Sequence, residues 1–205
     1  MAAEACESCR QILAEHEDND KLADILEAEH PGCACEQYTL GHGSPGPVAH
    51  DETLLRIIIS PRDVDPASGT IFARPFEKAF SNGVSVCREL AGNDDVLSLV
   101  REGLDRSIDD DPKVLSICQA GAEGIRAIQD QSGERVFCIY DQTVTRDDPG
   151  QQPISTHAGI FGRRPPPKTP DRKKIQKDFA GKLRELFIAG EIAIAQFRGG
   201  LLTHI

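Results

Sequence analysis

The chain has 205 residues, enough for one domain with a sizeable core and a small appendage. Hydrophobic residues make up 39%, with 18 Gly, 13 Pro and no Trp, which excludes a disordered chain and points to a core of Leu, Ile, Val and Phe with substantial loops. The net charge is -10 and unevenly placed: residues 1–52 hold 12 acidic and 2 basic side chains, whereas 163–184 hold 9 basic and 2 acidic. That asymmetry bears on partners and solubility, not on fold. No run of 18 apolar residues occurs, so no membrane helix is expected. The start, MAAEACESCR, has neither a basic n-region nor an apolar h-region, and a cytoplasmic location with reduced thiols is the expectation.

Residues 5–17 read as a first helix. Asn19 or Asp20 can cap a second over 20–30, where Leu22, Ile25 and Leu26 share a face before Pro31 and Gly32 stop it. Together 1–40 form an acidic helical hairpin. Residues 41–52, opening GHGSPGPV, read as a linker, and 53–205 as the main domain. Leu54–Ser60 is the clearest strand, apolar on both faces except at Arg56. A turn follows at 65–69, then a short strand over Thr70–Ala73, a helical turn at Phe76–Phe80 and a strand over Val84–Cys87.

Val96, Leu99, Val100 and Leu104 stripe a helix over 94–107 whose first turn carries Asp94 and Asp95. Val114–Cys118 reads as a strand. Gly124–Gln129 and Glu134–Asp141 read as a hairpin about the turn Asp130–Gly133, and Thr156–Phe161 as another strand. Thr169 caps a helix with Pro170 at its first position and Ile175, Phe179, Leu183, Leu186 and Phe187 on one face. Ile192–Phe197 suits a strand or a helical continuation. The expected class is mixed α/β (α+β): a mostly antiparallel sheet covered by helices, with the hairpin stapled by metal.

The staple is inferred from Cys6, Cys9, Cys33 and Cys35, which bracket the hairpin. An antiparallel pair of helices returns its second end beside its first start and gathers four thiols. Cys6-x-x-Cys9 has a metal-knuckle spacing, Cys33-x-Cys35 is tighter, and His30 can replace one thiolate. Zinc in a closed, structural site is the cofactor this predicts. Unliganded thiols and disulfides are the competing readings. Cys87, Cys118 and Cys138 read as small buried hydrophobes in strands.

Two further groups carry chemistry. Arg163, Arg164, Lys168, Arg172, Lys173, Lys174 and Lys177 make a basic stretch suited to phosphate contacts, without interleaved aromatics for base stacking. Its bland alternative is a solvated face, or a partner for the acidic residues of 1–52. Arg56 on its apolar strand needs an anionic partner, either Asp63, Asp141 or a bound phosphate. With Ser85 and His157 it would form a pocket, and strand arginines and serines beside a cleft are loosely similar to the arrangement in ADP-ribosyltransferase folds. No complete catalytic motif accompanies them. The leading expectation is therefore a zinc-stabilised, non-catalytic component of a larger assembly, binding another protein subunit and, through the basic helix, nucleic acid or another polyanion. The alternative is a small enzyme acting on a nucleotide or phosphate-bearing substrate, such as an NAD-dependent transferase.

Overall fold

The apolar run at Thr53–Ser60 forms a strand, β1, that lies inside a sheet with a neighbour on each side. The computed structural model describes residues 6–17, 19–105, 107, 111–144, 154–163 and 170–203. Its helices are α1 (Glu7–Glu15), α2 (Leu22–Glu29), α3 (Arg74–Glu77), α4 (Asn93–Asp105), α5 (Ala122–Arg126) and α6 (Arg172–Ala189). The other strands are β2 (Val84–Arg88), β3 (Lys113–Gly121), β4 (Phe137–Val144), β5 (Ile154–Gly162) and β6 (Glu191–Ala193). The sheet runs β4-β5-β2-β1-β3-β6, and every adjacent pair is antiparallel. The mixed α+β class is thus the one expected.

Strand alternation sends side chains to two faces. On one, Leu54 and Ile58 of β1, Val84 and Val86 of β2, and Ala158 and Ile160 of β5 pack against Phe76, Ile125, Leu183 and Phe187 from α3, α5 and α6. The opposite face carries two smaller clusters. Leu55, Cys87 and Ile117 lie with Val96 and Val100 of α4. Cys138, Tyr140 and Phe161 lie with Cys9, Leu22 and Leu26 of the helical hairpin. β1 is therefore apolar on both sides because both sides are covered.

The segment read as a linker is fastened to the body. The amides of Leu40 and Gly41 donate to the Asp141 carboxylate at 2.9 and 3.1 Å, and Thr143 Oγ1 donates to the His42 carbonyl at 2.9 Å. Arg126 donates to the carbonyls of Val48 and Ala49 at 2.8 and 3.0 Å. Arg88 donates to the Gly46 carbonyl at 2.6 Å while its Nη2 meets Glu52 Oε2 at 2.7 Å. Gly and Pro bend this chain, and side chains from β2, α5 and β4 hold it.

Three local expectations change. Gly124–Gln129 is not a strand: Ala122–Arg126 is helical, which buries Ile125 in the main core, and the ladder about the Asp130–Gly133 turn shrinks to a bridge between Gln129 and Arg135 with its flanking hydrogen bonds. Thr70–Ala73 contributes only the bridge between Val64 and Ile71. The last helix starts at Arg172 after Asp171, later than Pro170, and Thr169 lies outside the described residues. Ile192 falls in β6, and a 3₁₀ turn follows at Phe197–Gly199.

The Arg88–Glu52 pair is buried, with side chains 3% and 9% exposed. Removing one partner strands a charge away from water. Glu52→Leu is expected to cost roughly 3–5 kcal/mol in urea denaturation, and adding Arg88→Met to recover part of the loss. A cost below about 1 kcal/mol for Glu52→Leu would show that this pair is effectively solvated.

Candidate functional site

Chain reversal in the hairpin does gather sulfur. Cys6 is the N-cap of α1 and Cys9 lies one turn on, so both point to one end of that helix. Gly32 and Cys33 take left-handed backbone angles, with φ of +71° and +63°, and turn the chain sharply after α2. The turn sends the two sulfurs of Cys33-x-Cys35 different ways. Cys35 bonds to Cys9, with Cα atoms 5.9 Å apart, and Cys33 bonds to Cys138 on β4, with Cα atoms 5.3 Å apart. Disulfides, one of the competing readings, are thus the state seen. A single set of Cys6, Cys9, Cys33 and Cys35 thiolates is not what the fold assembles, because Cys33 is directed to β4.

What remains is a smaller donor set. Donor atoms of Cys6, Cys9 and His30 lie within 4.8 Å of one another, and this cluster could hold a metal ion. His30 is the C-cap of α2, and its Nε2 is 2.9 Å from Ser8 Oγ, a contact that helps orient the ring. Cys6 is unpaired and half-buried, whereas Cys9 and Cys35 are fully buried. Elsewhere, burial pushes the Cys87 thiol up to about 12 and the Cys118 thiol up to about 11. Those two stay protonated at neutral pH and are inert, as the sequence suggested.

Sequence reading missed Cys138 as a partner and missed Glu36. The Glu36 carboxylate, beside Cys35, accepts the Ile139 amide of β4 and contacts Arg135 and Arg126. Nothing in the local pattern around either residue signals this, because each contact spans about a hundred residues.

Arg56, Ser85 and His157 do come together. β1 and β2 pair only at Leu54–Arg88 and Leu55–Cys87 and then diverge. Arg56 reaches across that opening, and its Nη1 donates to the Ser85 carbonyl at 2.7 Å. Ser85 and His157 sit on adjacent strands of one sheet face, and Ser85 Oγ is 2.6 Å from His157 Nε2. Neither aspartate bonds Arg56 directly. The Asp63 carboxylate supplies an opposing charge nearby, while Asp141 serves the amides of Leu40 and Gly41.

The electrostatics of this trio are unfavourable for catalysis. Burial, and then the Arg56 charge, lower the His157 pKa to about 4. Its Nδ1 is buried with no hydrogen-bond partner among the described residues. An orphaned N–H is costlier than an orphaned lone pair, so the proton belongs on Nε2, donating to Ser85 Oγ. In that tautomer the imidazole cannot take the serine proton. A nucleophile's base needs the reverse arrangement, oriented by a group at Nδ1.

The basic stretch divides. Arg163 pairs with Glu27 of α2 at 3.1 Å and with Glu134 at 3.2 Å, and Arg172 pairs with Asp24 of α2 at 3.0 Å. These two cations are therefore engaged by acidic residues, as the intramolecular alternative required. Lys173, Lys174 and Lys177 are exposed on the first turns of α6, where Lys173 and Lys177 border a groove of about 170 Å³ with Glu77, Phe80 and Gln176. Arg164 and Lys168 lie outside the described residues. Among the described residues no helix is long and apolar enough to cross a membrane. Comparison with protein families, with curated proteins and with solved structures gives no match.

His157 makes stability depend on pH with a definite sign. An exposed histidine takes a proton near 6.5, whereas the folded chain keeps His157 neutral to about pH 4. Acidification through that window protonates the unfolded state first, so stability falls by roughly 3 kcal/mol between about pH 6.5 and 4. Urea denaturation across pH should show this fall, and His157→Gln should remove it. A His157→Gln profile that falls as steeply as the parent's would place the effect elsewhere.

Proposed function

We propose that the protein is a non-catalytic binding component of a larger assembly, with a helical hairpin held in its reduced form by zinc. The observation that carries this reading is the donor cluster of Cys6, Cys9 and His30 at the open end of the hairpin. Two thiolates and an imidazole suit Zn²⁺, which takes N and S ligands in tetrahedral geometry. Zinc's service here is structural: α1 and α2 have only nine and eight residues, too short to persist alone in water. The cytoplasmic location expected from sequence goes with this thiol form, since cytosolic thiols are kept reduced.

Binding falls to two charged surfaces. The hairpin presents the acidic part of the chain, which suits a protein partner. Lys173, Lys174 and Lys177 present three point charges in successive turns of α6, which suit phosphates of nucleic acid or another polyanion. With Arg163 and Arg172 turned to the hairpin, that contact is small and strongly salt-dependent.

The 2.6 Å contact between Ser85 and His157 favours a second reading, a small enzyme acting on a nucleotide or phosphate-bearing substrate with Arg56, Ser85 and His157 in the pocket. The tautomer and low basicity of His157 weigh against it. Turnover of such a substrate that is lost in Ser85→Ala, with the fold retained, would replace the first reading by the second.

Two measurements test the first. Reduced protein should bind about one equivalent of zinc by elemental analysis after gel filtration, and Cys6→Ser or His30→Ala should weaken binding about tenfold or more. Reduced protein free of zinc under those conditions would discard the staple. Retention on heparin at low salt should drop in the Lys173→Glu/Lys174→Glu/Lys177→Glu variant; unchanged retention would remove polyanion binding from the reading.

A further inference from the structure

We propose that the Cys9–Cys35 disulfide and the metal centre are alternative states of the same atoms, so that peroxide oxidation of the hairpin expels the metal and reduction restores it. The inference rests on the reading that Cys6, Cys9 and His30 hold zinc. Its basis is that Cys9 belongs to both arrangements: its sulfur is one of the three clustered donors, and it is also bonded to Cys35. A sulfur engaged in a disulfide is not a thiolate and cannot serve as the ligand that zinc needs.

Geometry makes the exchange short-ranged. Bonded sulfurs sit about 2 Å apart, whereas two thiolates on one tetrahedral zinc, each about 2.3 Å from the ion, sit roughly 3.8 Å apart. Breaking the bond therefore asks Cys9 and Cys35 to separate by only about 2 Å, within reach of side-chain rotation. It also frees the fourth ligand. Cys35 lies outside the triangle formed by Cys6, Cys9 and His30 but is attached to it through Cys9, which makes it the candidate for the open corner. Cys33 does not compete, because its sulfur is directed to Cys138 on β4. The reduced set is then Cys6, Cys9, His30 and Cys35, a closed centre of three thiolates and one imidazole.

The oxidant class is a peroxide, and the step balances. One thiolate of the Cys9–Cys35 pair attacks a peroxide oxygen, breaking the O–O bond and giving a sulfenic acid and water. The second thiolate attacks that sulfur, the S–S bond forms, and hydroxide leaves to become water. Two electrons pass from the two sulfurs to hydrogen peroxide, two protons from solvent complete two waters, and Zn²⁺ departs with both of its bonds to these sulfurs broken. Cys6, the half-buried outer ligand, and the imidazole of His30 are left unable to hold the ion alone. Cys87 and Cys118 are buried among apolar side chains on the sheet and take no part.

The test uses the full chain, reduced, loaded with zinc and freed of excess metal. Hydrogen peroxide is added stepwise, released zinc is read with a chromogenic chelator, and disulfides are mapped by peptide mass spectrometry. The expected result is one zinc released per Cys9–Cys35 disulfide formed, with uptake restored by a thiol-free reductant. Formation of Cys9–Cys35 with zinc retained would overturn the inference while leaving the metal reading intact, as would release that tracks a Cys6–Cys9 disulfide instead. A reduced chain that takes up no zinc before any peroxide is added fails the underlying reading, and the inference falls with it.

Discussion

The fold depends on covering the outer edge of β4. An edge strand offers a row of unpaired amides and carbonyls, and a second chain can pair with it unless something blocks the way. Here residues 33–41 do the blocking. The Glu36 carboxylate takes the Ile139 amide, Asp141 takes the amides of Leu40 and Gly41, and Cys33 is bonded to Cys138 in the strand itself. Covalent and hydrogen-bonded contacts thus fall along one strand. They explain why an acidic hairpin with a narrow apolar stripe is ordered: Leu22, Leu26 and Cys9 meet Tyr140 and Phe161 only because the edge holds the hairpin there. The pairing of Arg163 and Arg172 with Glu27 and Asp24 adds a second tether, from the far end of the chain.

Near the middle of the sheet the constraint is different. β1 and β2 share two register pairs and then separate, which leaves a gap in the strand pairing beside Arg56. Arg56 spans it by donating to the Ser85 carbonyl, while Ser85 and His157 meet across the neighbouring β2–β5 pairing. A histidine there stays neutral because burial and a neighbouring cation both oppose its charge. Within the trio only His157 is buried, with an unpartnered Nδ1, whereas Arg56 is half-buried and Ser85 is exposed. Gly83, at φ +92°, turns the chain into β2 against the ring of Phe161, a place where a Cβ would collide. This turn joins the opening to the cluster under the hairpin.

Much of the secondary structure was legible. The stripe Val96, Leu99, Val100 and Leu104 and the apolar run at β1 are local periodicities, and both elements formed where those periods lie. Gly124–Gln129 was read as a strand because so short a segment with one large apolar residue fits a strand or a helix equally well, whereas Ala122–Arg126 is helical and its Ile125 joins the core cluster that holds Leu183 and Phe187 of α6. The anchoring of residues 41–52 was not legible for a related reason. Gly and Pro report how a chain can bend, whereas its anchoring depends on Arg88, Arg126 and Asp141, which lie far away in sequence.

By itself the sequence determined the mixed class, the short helices about a cysteine-bracketed reversal, the charge asymmetry, and the presence of Arg56 on an apolar strand. Each follows from spacing within a few residues. Tertiary structure alone decided that Cys33 meets Cys138 while Cys35 meets Cys9, that His30 joins Cys6 and Cys9, and that the basic stretch is split between acidic partners and solvent. Those choices rest on sheet order and on the left-handed turn at Gly32 and Cys33, which set which distant side chains face one another, and no local period encodes such a meeting.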